Sequence, residues 1–379
     1  MTGRFLKIKD LVAVGSGNVI SKVIAGVFWI YIASLVGAVG YGNLSYFVAI
    51  AEIGMGIALL GVANTNVVFT SKEGKTQSPL YPIALIAGII AAISTFLIFE
   101  NVGVSVIIFG NILFSLVVSG SLGLKQYKKW AICFILQKIL MVILAISLYY
   151  VLDIDGILLG IGLSFLPFGI FLLRNVKKPV FNFKIVKSRF NFMMHSYGTA
   201  LTKTLSQSLD KLIIAPIFGF ELLGNYYLGF QVITLMSMLP ASVAQYTLPQ
   251  DASGIHHKKL KIITVFVSIV FAIVGVFIGP KVLPFFFPQF AEVGQIIQIM
   301  SIAIVPITIN LLYNSKLFGL EESKFVLIGS IIFVMAQIVL ILTLGQIYGI
   351  YGVTWAFVIA NWIQSIYLFI IDRFKLQTL

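Results

Sequence analysis

Four lysines and two carboxylates interrupt otherwise apolar runs of this sequence, spaced as a binding surface is rather than as a catalytic centre. Thr199, Thr202, Lys203, Ser206, Gln207 and Asp210 follow the i, i+3, i+4, i+7, i+8, i+11 steps of one helical face, and Lys211 comes next. Asn18, Ser21 and Lys22 repeat the device near the start, and Glu52 and Lys138 stand inside later apolar runs. An ionised group at membrane depth costs about 2.5–3.5 kcal/mol even on a lenient scale, so such groups face a protein interior or a watery cavity. Lys22 is expected to pair with Glu52, either to fix helix packing or to line a cavity wall. Lys22, Lys138, Lys203 and Lys211 outnumber Glu52 and Asp210 by two, and that surplus suits an anion. The expected substrate-binding set is therefore Lys22, Asn18, Glu52, Lys203, Gln207, Asp210, Lys211 and Lys138.

Other chemistry finds little support. His195, His256 and His257 lack the spacing of a metal site, and no phosphate-binding loop or nucleophile elbow appears. Asp153 and Asp155 resemble the acidic pair with which glycosyltransferases hold a metal–sugar-phosphate, but the loop around them is only a few residues long. No catalytic residue, metal or cofactor is expected, and the protein is not expected to be an enzyme.

The elements that position these groups are membrane helices. The chain is 59% hydrophobic and 10% charged, far below the charge content of soluble domains, which marks an integral membrane protein. The single cysteine, Cys133, excludes an intramolecular disulfide. The first apolar run, about residues 11–36, is too long for the core of a cleaved signal peptide. At about 20 residues per crossing, the expected spans are 11–36, 43–63, 80–99, 102–123, 130–151 and 156–174, then 193–219, 225–247, 261–280, 292–314, 324–345 and 350–371. With the N-terminus inside, cytoplasmic segments hold twenty-one of the 26 basic residues and the outer loops only Lys281. The net charge of +13 thus follows from topology, not from nucleic acid. Both termini are expected in the cytoplasm.

The chain also repeats itself. Ile32, Ala33, Gly37, Gly42 and Asn43 recur as Ile214, Ala215, Gly219, Gly224 and Asn225, each 182 residues on, close to half the length. The same register sets Lys203 opposite Ser21, beside Lys22. The expected fold class is an all-α integral membrane protein, with about twelve transmembrane helices as two parallel-repeat six-helix bundles around a central cavity. Residues 1–174 form the first bundle, 175–192 a basic cytoplasmic linker and 193–379 the second bundle.

Three stretches then carry a family likeness: Asp210-Lys211 with Gly219 and Leu223 to Tyr227, Gly40 to Tyr46, and Tyr348 to Ala356, with Leu124 to Ala131 similar too. Together they resemble the multidrug/oligosaccharidyl-lipid/polysaccharide (MOP) exporter superfamily, specifically its Wzx-type polysaccharide flippases. The resemblance implies a V-shaped cavity between the bundles and a polyprenyl- or dolichyl-(di)phosphate-linked glycan as cargo, its phosphate meeting the basic residues. It implies a cell-membrane location, the bilayer and glycan-assembly enzymes as partners, and a monomeric transport unit. The competing expectations are a drug or cation antiporter of the same superfamily, driven by H⁺ or Na⁺, and a membrane glycosyltransferase or glycan polymerase. Buried lysines speak against the first, and the lack of a large outer loop against the second.

Overall fold

The computed structural model describes residues 2–73, 78–175, 183–251, 257–320 and 322–374, nearly all of them helical. The helices are α1 (Thr2–Ala58), α2 (Val62–Glu73), α3 (Tyr81–Phe99), α4 (Val102–Gly123), α5 (Tyr127–Leu163), α6 (Phe168–Asn175), α7 (Phe183–Phe218), α8 (Phe220–Met236), α9 (Met238–Asp251), α10 (Lys258–Phe277), α11 (Gly279–Phe286), α12 (Val293–Met300), α13 (Ile304–Gly319) and α14 (Ser323–Phe374). Among the described residues, seven helical stretches are long and apolar enough to cross a membrane, and α8 with α9 adds a bent eighth. Three of the seven are double. Gly37, Asp153 and Gly349 break α1, α5 and α14 into two arms each. With the more polar α7, this gives the about twelve helices expected of the chain.

Packing divides the chain into two compact units. Unit 1 comprises Met1–Phe28 and Phe47–Thr204, and unit 2 comprises Trp29–Tyr46 and Leu205–Leu379. Both are discontinuous in sequence, whereas the expected bundles are continuous. The expected linker is also partly helix, since α7 begins at Phe183; residues 176–182 lie outside the described residues.

Unit 1 is built on α4, which packs against α2, α3, α5 and α6. Small residues along α4, among them Gly103, Gly110, Ser119 and Gly123, are buried and let neighbouring backbones approach. Asn66 of α2 donates to Ser119 at 2.8 Å and to Tyr81 at 3.3 Å, and accepts from Thr70 at 3.0 Å, so this buried amide is satisfied. At one end Arg189 pairs with Glu73 and lies 4.2 Å from the Phe69 ring centroid. Unit 2 has its own apolar core, in which Ile214, Leu223, Tyr226, Ile296, Met300, Ile304, Val353 and Phe357 meet.

The repeat read from the sequence is a repeat of conformation. Gly37 (φ 68°, ψ −177°) and Gly219 (φ 88°, ψ 164°) both stand in a backbone region that L side chains rarely enter, and each ends one helical arm and opens the next. Five residues further, within unit 2, the two copies touch. A Cβ on Gly42 would lie 1.9 Å from the Phe220 carbonyl oxygen, and a Cβ on Gly224 would lie 1.8 Å from that of Ala38. Residue 42 meets 220 as 224 meets 38, which is the reciprocity of a local two-fold. Glycine is required at both positions because each backbone fills the other's Cβ space.

A second equivalence lies 196 residues apart. Asp153 (φ 56°, ψ −136°) and Gly349 (φ 57°, ψ −133°) turn their hairpins alike. Three residues on, Gly156 abuts the Leu148 carbonyl as Gly352 abuts that of Leu344. Asp153, read from sequence as half of an acidic pair, is thus the turn residue of a helical hairpin. Its conformation is nearly confined to glycine and costs about 1–3 kcal/mol in other residues. Asp153→Gly should therefore raise the unfolding midpoint in detergent, and a fall would show the turn to be unstrained.

Candidate functional site

The most elaborate polar cluster among the described residues lies inside unit 2, where α7, α8 and the first arm of α14 meet. The break at Gly219 folds α8 back on α7, bringing Tyr226 beside Asp210. Tyr226 donates its hydroxyl to Asp210 Oδ2 at 3.0 Å, and Gln337 of α14 donates to that hydroxyl at 3.5 Å. Asp210 Oδ1 accepts from the Lys211 amide at 2.9 Å and faces the Lys211 ammonium at 3.5 Å. The ammonium also donates to the Gln207 carbonyl. It stands 5.3 and 5.1 Å from the ring centroids of Tyr227 and Phe230, which stack on each other. Tyr227 in turn packs on Tyr41 and Trp29, so aromatic rings surround the cation.

Asp210 and Lys211 are only 5% and 4% exposed. Taking two charges out of water costs several kcal/mol each unless their hydrogen bonds are replaced, and here each has polar or aromatic partners. The cluster is a compensated ion pair joining three helices. It offers neither a free carboxylate to a cation nor a free ammonium to an anion.

The other expected residues are arranged differently. Lys22 and Lys203 are both exposed and both belong to unit 1. Among the described residues neither makes a hydrogen bond or ion pair. Lys22 is therefore not joined to Glu52 as expected. Glu52 is half-buried and its charge acts instead on Lys138, itself half-buried, with Nζ 4.0 Å from Met141 Sδ. Helical spacing could not foresee this, because the break at Gly37 resets the face on which the second arm of α1 presents Glu52. The Gln207 side chain is exposed although its carbonyl serves Lys211. The side chain of Asn18 lies outside the described residues. Tyr226, Tyr227, Phe230 and Gln337 were not expected in the site. Their signal was available only as a tyrosine pair in a repeated motif and a lone amide in an apolar helix.

Comparison with known proteins bears on this arrangement. Residues 124–254 match a family described as polysaccharide biosynthesis protein. An uncharacterized membrane protein of Methanocaldococcus jannaschii is 25% identical, with 97% of each chain covered. Among solved structures, the lipid II flippase MurJ in an inward closed conformation is similar at 15% identity, with 97% of this chain and 88% of that one covered and a TM-score of 0.78. The chain has the fold of a MOP-superfamily transporter. An inward-facing multidrug resistance MATE transporter of that superfamily is similar at 13% identity, with 94% and 95% covered and a TM-score of 0.69.

Within this fold the two lysines, which have no hydrogen bond or ion pair among the described residues, stand at matching distances along their helices. Fifteen residues separate Lys22 from the break at Gly37, and sixteen separate Lys203 from the equivalent break at Gly219. At ~1.5 Å per residue the Cα atoms of both lie about 22–24 Å along their helices from the break. That distance is shorter than a hydrocarbon core of ~30 Å, so each lysine lies within one membrane crossing of its break.

Proposed function

We propose that this protein carries a polyprenyl- or dolichyl-(di)phosphate-linked glycan across the membrane by alternating access, for surface polysaccharide or glycoconjugate synthesis. One observation carries the reading: Lys22 and Lys203 are exposed, make no hydrogen bond or ion pair among the described residues, and stand fifteen and sixteen residues before equivalent helix breaks. Two such charges within apolar surroundings require water or an anion beside them, and a lipid-linked phosphate supplies the anion. The match to a polysaccharide-biosynthesis family and the likeness to a lipid II flippase support the same cargo class. A cation antiporter is less well supported, because Asp210 is committed to Lys211 and Tyr226, and Glu52 acts on Lys138.

The test is reconstitution. Vesicles containing the protein and a fluorescent polyprenyl-diphosphate glycan should move the sugar across the bilayer, while protein-free vesicles should not. Gradient-driven efflux of a cationic dye without glycan movement would sink the proposal in favour of the antiporter.

The proposed orientation places both termini in the cytoplasm of a cell-membrane protein. In a Cys133→Ala background, Lys281→Cys and Glu100→Cys should react with an impermeant thiol reagent from outside, and Lys259→Cys only after permeabilisation. All three positions are exposed. External labelling at 259 would reverse the orientation.

A further inference from the structure

Unit 2 carries a groove that the transport reading does not use. It is formed by α10, α13 and the second arm of α14 and has a volume of about 930 Å³. Most of its wall is apolar and open, with Ile262 68%, Phe266 66% and Ile366 55% exposed, and Trp362 and Phe369 complete it. One end differs. The start of α10 brings Lys258 and Lys261 there, the end of α13 brings Lys316, and the end of α14 brings Asp372, with Tyr313 beside them.

These charges do not cancel. Lys261 is bound to the buried Asp251 at 2.9 and 2.7 Å, and Asp251 also accepts from Ser315 at 3.2 Å. Lys316 pairs with Asp372. Lys258 is exposed and makes no hydrogen bond or ion pair among the described residues. Among the described residues, one uncompensated ammonium therefore stands at the mouth of the groove, beside a second, partly exposed ammonium and a phenol.

Length identifies the occupant further. Lys258 to Ile269 is ~16 Å along α10 and Trp362 to Asp372 is ~15 Å along α14, at ~1.5 Å per residue. Half of a ~30 Å hydrocarbon core is the depth of one leaflet. A soluble anion would have no use for the long apolar wall, and a zwitterionic lipid brings its own cation, which offsets its phosphate and adds no net charge to balance Lys258. We propose that this groove binds one anionic glycerophospholipid, its phosphate held at Lys258, Lys316 and Tyr313 and its acyl chains lying along Phe266, Ile269, Trp362 and Phe369. Neither Lys22 nor Lys203 is among its lining residues, and the site does not depend on what the protein transports.

The test is native mass spectrometry of the delipidated full-length protein, titrated with phosphatidylglycerol or with phosphatidylcholine of the same chains. Wild type should bind phosphatidylglycerol about fivefold more tightly, the effect of one lysine near an anionic headgroup. Lys258→Gln should remove that preference with an unchanged unfolding midpoint, since the residue is exposed and has no hydrogen bond or ion pair among the described residues. Ile366→Trp, which fills the groove, should weaken both lipids alike. Equal binding of the two lipids by wild type, or an undiminished preference in Lys258→Gln, would overturn the site. Displacement of bound lipid by millimolar inorganic phosphate would make it a phosphate site instead, and tighter retention of a polyprenyl phosphate would overturn the phospholipid assignment.

Discussion

Lys203→Glu should abolish movement of an anionic lipid-linked glycan while the protein still inserts and keeps its thermal midpoint. The side chain is exposed and has no partner among the described residues, so folding loses little by its reversal. Binding loses much. Two unit charges 4 Å apart interact by ~1 kcal/mol in water and ~4 kcal/mol at an effective dielectric of 20. Reversal changes the interaction by about twice the value it had, so even the aqueous limit predicts a loss of at least ~30-fold. Lys203→Arg should retain part of the activity, because the charge survives while its shape and hydration do not. Comparing initial rates of sugar protection in vesicles of equal protein content checks both. Full activity in Lys203→Glu would remove this residue from the cargo path.

Asp210→Ala should cost about 3–5 kcal/mol of stability, because it leaves Lys211 charged and buried without its counter-ion. The hydroxyl of Tyr226 would lose its acceptor at the same stroke. Asp210→Ala/Lys211→Met should recover most of that loss, since replacing a whole buried pair by apolar groups is close to neutral. Tyr226→Phe, which removes one hydrogen bond to a charged group, should cost less, ~1.5–3 kcal/mol. Thermal or denaturant midpoints in a fixed detergent give the series. A single-variant cost below ~1 kcal/mol, or a double variant no better than Asp210→Ala, would show that the pair is not enclosed as described.

The legibility of these features in the sequence follows their range. Helix existence is local, and a 20-residue apolar run announces itself, so about twelve spans could be read directly. The repeat was legible because glycine at 37, 42, 219 and 224 answers two backbone demands, an unusual φ and a close approach. Polar groups inside apolar runs stood out as well, which brought Asp210, Lys211 and Lys203 into view. Their company did not. Tyr226 comes from α8 and Gln337 from α14, so the enclosure of Asp210 is a matter of packing between helices distant in sequence. The Lys22–Glu52 expectation failed for a related reason, since the two residues lie on different arms of a broken helix. Asp153 misled because acidity was visible in the sequence and backbone torsion was not.

The claim that unpaired lysines recognise the cargo's phosphate is tested most directly by flipping in vesicles with Lys22→Gln/Lys203→Gln protein. Both substitutions remove charge without reversing it, and neither breaks a hydrogen bond or ion pair among the described residues, so abundance and midpoint should match wild type. At ~1 kcal/mol or more per lysine, initial flipping of a fluorescent polyprenyl-diphosphate glycan should fall by at least ~30-fold. Undiminished flipping at equal abundance would contradict the account.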